Sequence, residues 1–550
     1  MRRYTRSASV SAILALTLAL VGLGSRSGQV GLAQAPTARQ VVEAAAQTLG
    51  GLDRVRGVRT ITAHGYGQYA YMLGGGRISG EADAPEKYMA ANDLTRVWDL
   101  ANDRFEMRER RNMLFPFLLP FGHSFALNVN GLDGDIAFDR QGERAVRVAR
   151  FTESALMIDG VHMRRMWMLN NPVVLVRTML DPGTQLSAPR QETSASGTVT
   201  VIDVTLRQGD RLSAGFANQR PVFVRWSNPQ TNIGQANLTT TFSGWVMTSG
   251  LLMPLGYQTR MDWRNVDFFK LYVDAYDVDT PVADLAAPAA VRAAAEPPSF
   301  PTTPLTSVPV AKGIWRISNG TSVVEFRDHL VLFELGVNAR GQAKAVLDHA
   351  RALVPGKPIR YLIASHNHFD HTMGIREAVA EGITIIQRAS TEQQFREMVA
   401  HGAPDYPDDL QKNPQAMTFI RVDERYRLQD DTMTLDVLWG RNNGHMADVL
   451  FAYAPAQRVM LEGDLVSAAY DWAHWPDTFR ESIAYYTLDI EKVSPVHAMT
   501  QVAPDVLTFE QADQVLRGGT QRARQHCAEQ LGKANYWPGC PIQSRFYPDR

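Results

Sequence analysis

The chain has 550 residues, 45% of them apolar and 21% charged, with a formal net charge of −1. That composition is globular, and the length exceeds what one ordinary core serves, so two domains are expected. Nothing in the charge balance suggests a nucleic-acid binder.

In chain order, residues 1–35 are read as a cleavable signal peptide. Arg2, Arg3 and Arg6 form a positive start, Ala12 to Val21 is an apolar core, and Ala33-Gln34-Ala35 offers a small-x-small cut. The apolar run is short for a membrane span, and no later stretch is long and apolar enough to cross a bilayer. Cleavage would leave 52 of the 56 basic residues against 57 acidic ones. The expected location is a bacterial periplasm or the medium. In such an oxidising compartment the two cysteines, Cys527 and Cys540, either form a disulfide that staples the C-terminal tail, worth about 2–4 kcal/mol, or stand as two free thiols.

Residues 36–285 read as an antiparallel, β-rich domain. A helix over Ala38 to Leu49 ends at Gly50-Gly51. Strand-like runs follow at 60–64, 68–72, 197–204, 221–226 and 268–273, and Val161 to Leu180 holds helix interrupted near Pro172. The pattern fits a curved sheet with a helix or two on one face. It loosely resembles the sheet of periplasmic lipoprotein-carrier proteins, which implies an apolar or lipid-like ligand. Met113 to Phe121, with Pro116 and Pro120, is too proline-broken for helix or strand and reads as an apolar lip or a loop in its own core. His64, His123 and His162 lack ligand-type neighbours and read as ordinary histidines.

Residues 286–309 are rich in proline and alanine and are expected to form a semi-stiff linker. In 310–550, strand-like runs at 313–317, 322–327 and 329–334 lead to a helix over Ala339 to Leu353. Helix and strand then alternate to His497, and Phe509 to Leu531 closes the chain as a helix. Alternation of this kind argues for a layered domain of sheets and helices.

The densest chemistry follows the apolar strand 359–364. His366-Asn367-His368-Phe369-Asp370-His371 places four metal-capable side chains within six residues. Imidazole nitrogen and carboxylate oxygen suit a borderline Lewis acid such as zinc. Downstream, His445 precedes a strand, Asp464 follows the strand-like Arg458 to Leu461, and His497 ends the run from Lys492. Each stands at a strand end, where loops gather on one sheet edge.

The H-x-H-x-D-H motif and the order of these later residues resemble the metallo-β-lactamase superfamily, over about the last 240 residues. The resemblance implies an αββα sandwich, so the expected fold class is α+β: that sandwich preceded by the antiparallel β-rich domain. It also implies two zinc ions, with His366, His368 and His445 at one site, Asp370, His371 and His497 at the other, and Asp464 bridging them. A bridging water would ionise near neutral pH and attack a carbonyl or phosphoryl centre, with Asp370 orienting the nucleophile. Asp464 stands where zinc β-lactamases generally carry cysteine or serine, which points to the broader hydrolases. His368 stands where di-iron members usually carry glutamate. The expected function is an exported dinuclear zinc hydrolase acting on an ester-, lactone- or amide-like small molecule. A mononuclear iron dioxygenase of the same superfamily, or a ligand-binding protein with an inactive metal domain, are the alternatives. Arg441, Asn442 and Asn443, then Asp471, Trp472, His474 and Trp475, and Tyr485 and Tyr486 are candidate pocket residues, with no catalytic role assigned. The N-terminal domain is expected to restrict access or to bind part of the substrate.

Overall fold

A computed structural model describes residues 35–72, 75–113, 127–152, 160–194, 197–335, 342–443, 446–466, 476–497, 505–530 and 546–547. Residues 1–34, where a signal peptide was expected, the apolar stretch 114–121, His123, His445, the segment with Asp471, Trp472, His474 and Trp475, and Cys540 lie outside the described residues.

Thr37 and Gln40 set the start of the first helix, Ala38–Thr48, through a reciprocal capping box. The chain then enters a 14-stranded antiparallel sheet made of two consecutive meanders. One wing runs from Thr60–Ala70 to Arg144–Val148, and the other from Gln185–Leu186 to Val266–Val278. They join where Thr60–Ala70 pairs with Val266–Val278. The two segments expected at 60–64 and 68–72 are largely one strand, Thr60–Ala70. Gly65 and Gly67, between those two segments, sit at irregularities of register. At Gly65 the Tyr272 carbonyl oxygen comes within 1.9 Å of where a Cβ would stand, so only glycine fits.

Helices fill one face of this sheet. The expected interruption at Pro172 is real: Val161–Leu169 ends, and Pro172–Met179 begins with Asn171 as N-cap, its side chain accepting from the backbone of Val173 and Val174. Every residue of Val161–Leu169 is buried, two arginines included. Arg164 donates to the carbonyls of Gly131 (2.9 Å) and Phe138 (2.6 Å) on the first wing. Arg165 reaches Asp210 on the second wing at 2.5 Å. One short helix thus bonds to both wings, which requires the sheet to curve around it. His162 is spent in the same way, between Asp210 Oδ1 (2.9 Å) and the Ser227 carbonyl (2.8 Å).

The proline- and alanine-rich stretch contains a short helix, Ala289–Ala293, whose Val291 packs with Phe138 and Ala287. Arg104 also pairs with Asp284 at 2.6 Å. This segment is therefore pinned to the first wing over part of its length.

From Ser307 the chain builds two further sheets. One holds seven strands, from Ser307–Ala311 to Phe419–Val422, and the other six, from Arg425–Gln429 to Leu507–Thr508. Val324, Val331, Phe333, Ile363 and Ile386 of the first meet Leu435, Val437, Leu450, Ala452 and Leu461 of the second in one buried layer. The outer face of the first sheet is covered by Gln342–Leu353, Ile375–Ala380 and Glu392–Ala400. The outer face of the second is covered by Pro476–Tyr486 and Phe509–Gln530. This is an αββα sandwich, and with the large antiparallel sheet before it the fold is α+β. None of the described helices is long and apolar enough to cross a membrane.

The sandwich and the large sheet also touch directly. Arg264 pairs with Glu397. His401 stands between the Ile233 carbonyl and Asp262 Oδ2, 3.0 Å from each. Phe369 and Met398 belong to the buried cluster of the large sheet.

Candidate metal centre

Parallel strands Leu330–Phe333 and Ile359–Ile363 end together at one edge of the first inner sheet. Strands Val459–Glu462 and Lys492–Pro495, also parallel, end at the edge of the second. The residues just beyond these ends are Glu334, Ser365 to His371, Asp464 and His497. Asp370 and His371 lie in a single helical turn, Phe369–Thr372, that starts at His368.

The structure brings six of the seven expected ligands together. One ligand atom from each of His366, His368 and Asp464 lies within 4.8 Å of the others, and the same holds for Asp370, His371 and His497. Asp464 joins the two triads. Its Oδ1 is 3.1 Å from His371 Nε2 and 2.9 Å from His497 Nε2, and its Oδ2 is 3.7 Å from His366 Nε2. Asp370 Oδ2 is 3.5 Å from His371 Nε2 and 3.6 Å from His497 Nε2. The seventh, His445, lies outside the described residues.

Burial and charge oppose each other here. Burial would drive the His371 and His497 imidazoles towards their neutral forms. The carboxylates of Asp464 and Asp370 outweigh it, and both histidines titrate above their ordinary value. Burial also raises the Asp370 carboxyl, against the pull of His371 and His497. Asp370 Oδ1 is buried with no hydrogen-bond partner among the described residues. A concentration of carboxylate this far from water calls for positive charge, and its donor set of imidazoles and carboxylates fits a divalent cation.

Three residues that the sequence did not single out hold these side chains in place. Glu334 Oε1 accepts from the Ser365 amide at 2.7 Å, while Glu334 Oε2 lies 3.4 Å from His371 Nδ1. Ser365 Oγ is 2.8 Å from His366 Nδ1. Engaging Nδ1 in this way turns Nε2 towards the cluster. Glu462 Oε2 accepts from the amides of Leu465 (2.8 Å) and Val466 (3.2 Å), which folds the chain around Asp464. Burial holds the Glu462 carboxyl well above its ordinary range. An acid closing the apolar strand Leu330–Phe333 was the one available signal for Glu334.

Gly463 is required by close approach. A Cβ there would stand 2.4 Å from Ser365 Oγ and 2.7 Å from Ser365 Cβ. Gly463→Ala is therefore expected to push Ser365 off His366 and to weaken divalent-metal binding by about 10- to 100-fold, the range for losing a group that orients a ligand. Titration of the purified variant with Zn²⁺ checks this.

The candidate pocket residues brace a loop. The Arg441 guanidinium lies 4.8 Å from the Trp439 ring centre and 4.2 Å from that of Tyr485. Asn442 bonds Glu481, Asn443 Oδ1 accepts from the Met446 amide at 3.3 Å, and Tyr486 donates to the Trp439 carbonyl at 3.0 Å. They tie the chain flanking His445 to helix Pro476–Tyr486.

A sequence-family profile, the Metallo-beta-lactamase superfamily, matches residues 318–495. No curated protein matches the chain. Similar solved structures include the metallo-beta-lactamase from Pontibacter korlensis, at 15% identity and a TM-score of 0.31, covering 39% of this chain and 97% of that one. TMB-1 has 16% identity and a TM-score of 0.30, covering 41% and 100%. DIM-1 metallo-beta-lactamase has 15% identity and a TM-score of 0.31, covering 40% and 99%. Residues 318–495 thus carry the match to the metallo-β-lactamase superfamily, and the large antiparallel sheet before them lies outside it.

Proposed function

We propose that this protein is an exported, metal-dependent hydrolase that holds two zinc ions and acts on an ester-, lactone- or amide-like small molecule. The observation that carries the reading is Asp464, whose carboxylate stands between two triads of ligand-type side chains. His366 and His368, joined by His445 as the resemblance implies, would hold one cation. Asp370, His371 and His497 would hold the second, with Asp464 shared. Bound zinc supplies a Lewis acid and lowers the pKa of water from about 15.7 to about 7. The chain's own part is to aim and to keep dry. Ser365 and Glu334 fix the imidazoles from behind, at Nδ1. Asp370 Oδ1, buried with no hydrogen-bond partner among the described residues, would accept a hydrogen bond from the attacking water and so orient it. The leader-like first 35 residues support export.

Hydrolysis of a panel of chromogenic esters, lactones and β-lactams, read beside elemental analysis of the purified protein, tests this. Zinc is expected near two ions per chain, and exhaustive chelation is expected to abolish turnover until zinc is restored. Undiminished turnover after chelation would sink the reading. Iron at one ion per chain would favour the oxygenase alternative.

A further inference from the structure

Asn232 stands at the tip of the hairpin formed by Arg220–Gln230 and Gly234–Thr248. Hairpin tips ordinarily face water, yet Asn232 is wholly buried. Its Nδ2 donates to the Phe369 carbonyl at 2.7 Å and to Thr372 Oγ1 at 2.8 Å. Gln230 Nε2 donates to Asn232 Oδ1 at 3.0 Å, which fixes the amide's orientation. Thr372 Oγ1 in turn donates to the His368 carbonyl at 2.8 Å. One side chain from the N-terminal sheet therefore ties both ends of the turn that carries His368, Asp370 and His371.

A second contact comes from the same half. The Phe369 ring, in the middle of the motif, lies 5.5 Å from the Trp263 ring and is buried in the sheet's own apolar cluster. The motif's one apolar side chain is thus anchored outside the sandwich.

We propose that the N-terminal sheet is a positioning element of the metal centre, with Asn232 the residue through which it sets the ligand turn and hence the affinity for the cation. This rests on the metal-dependent reading above. It differs from a role in substrate access, because the contact is made behind the ligands.

The full-length chain tests it. Zn²⁺ dissociation constants would be measured by competition with a chromophoric chelator for wild type, Asn232→Ala and Thr372→Val, with Thr240→Val as control. Thr240 shares a buried 2.7 Å hydroxyl pair with Thr259 elsewhere in the same sheet, so its loss loosens the sheet without touching the motif. Asn232→Ala and Thr372→Val are expected to bind Zn²⁺ about 10- to 100-fold more weakly, while Thr240→Val binds it as wild type does. Melting curves of the metal-free proteins would show the control destabilised at least as much. Wild-type affinity in both motif variants, or equal weakening in the control, would overturn the proposal. If Asn232→Ala does not fold, Thr372→Val alone decides. A wild type that binds no divalent ion would instead overturn the metal-dependent reading itself.

Discussion

Replacing Asp464 with alanine is expected to lower turnover by on the order of a thousandfold or more and to strip metal from both triads. The Asp464 carboxylate lies within 4 Å of imidazole nitrogens of both triads: His366 at 3.7 Å, His371 at 3.1 Å and His497 at 2.9 Å. Its loss removes a ligand from each half of the centre together. It also removes negative charge that would offset two dications brought together. Asp464→Asn separates these effects, since it keeps the shape and one oxygen but not the charge. Elemental analysis beside kcat distinguishes them further. Retained metal with lost turnover would mean that Asp464 serves the reaction rather than the ions. Retained turnover would remove it from the centre altogether.

A second large effect is expected far from the metal. Glu109 is fully buried on strand Arg104–Met113, and its carboxylate is held by Arg96 (2.7 Å), Arg111 (2.7 Å) and the Tyr69 hydroxyl (3.0 Å). Burial alone would raise this carboxyl. The two guanidiniums outweigh it and bring it down to about 2. A carboxyl whose folded value is depressed adds stability above its unfolded value, near 4.5. That stability fades as pH falls through the interval from about 4.5 to about 2. Glu109→Gln leaves Arg96 buried against a neutral amide, which costs about 3–5 kcal/mol at pH 7. Denaturant unfolding of both proteins at pH 7 and near pH 3 checks the sign. The gap should be widest at pH 7 and should shrink in acid. A gap that stays the same at both pH values would show that the charge on Glu109 does not support the sheet.

That same strand shows why much of the N-terminal half was hidden in the sequence. Phe105, Met107 and Glu109 are buried on one face of it, and Glu106 is buried on the other. Because an acid occupies one inward position, the period-two apolar pattern never forms, and the strand was not among those expected. The C-terminal sandwich was far more legible. Its inner strands are short continuous apolar runs, its outer helices carry one apolar stripe, and breaks between them fall at turn residues. The ligand motif was legible because four metal-capable residues in six have no packing explanation, and Asp464 and His497 because they end strands in the right order. Asn232 had no local signal at all. It lies 137 residues from Phe369, and only the contact between two sheets far apart in the sequence brings it to the turn. Glu334 fell between these cases, visible as a strand end but without a motif to mark its purpose.

Phe369 has one more consequence. A ring that belongs to the ligand motif by sequence and to the neighbouring sheet by packing makes the two halves poor candidates for exchange. Grafting the sandwich onto an unrelated partner at the proline-rich junction would leave a greasy socket beside Trp263 on one product and an exposed aromatic on the other.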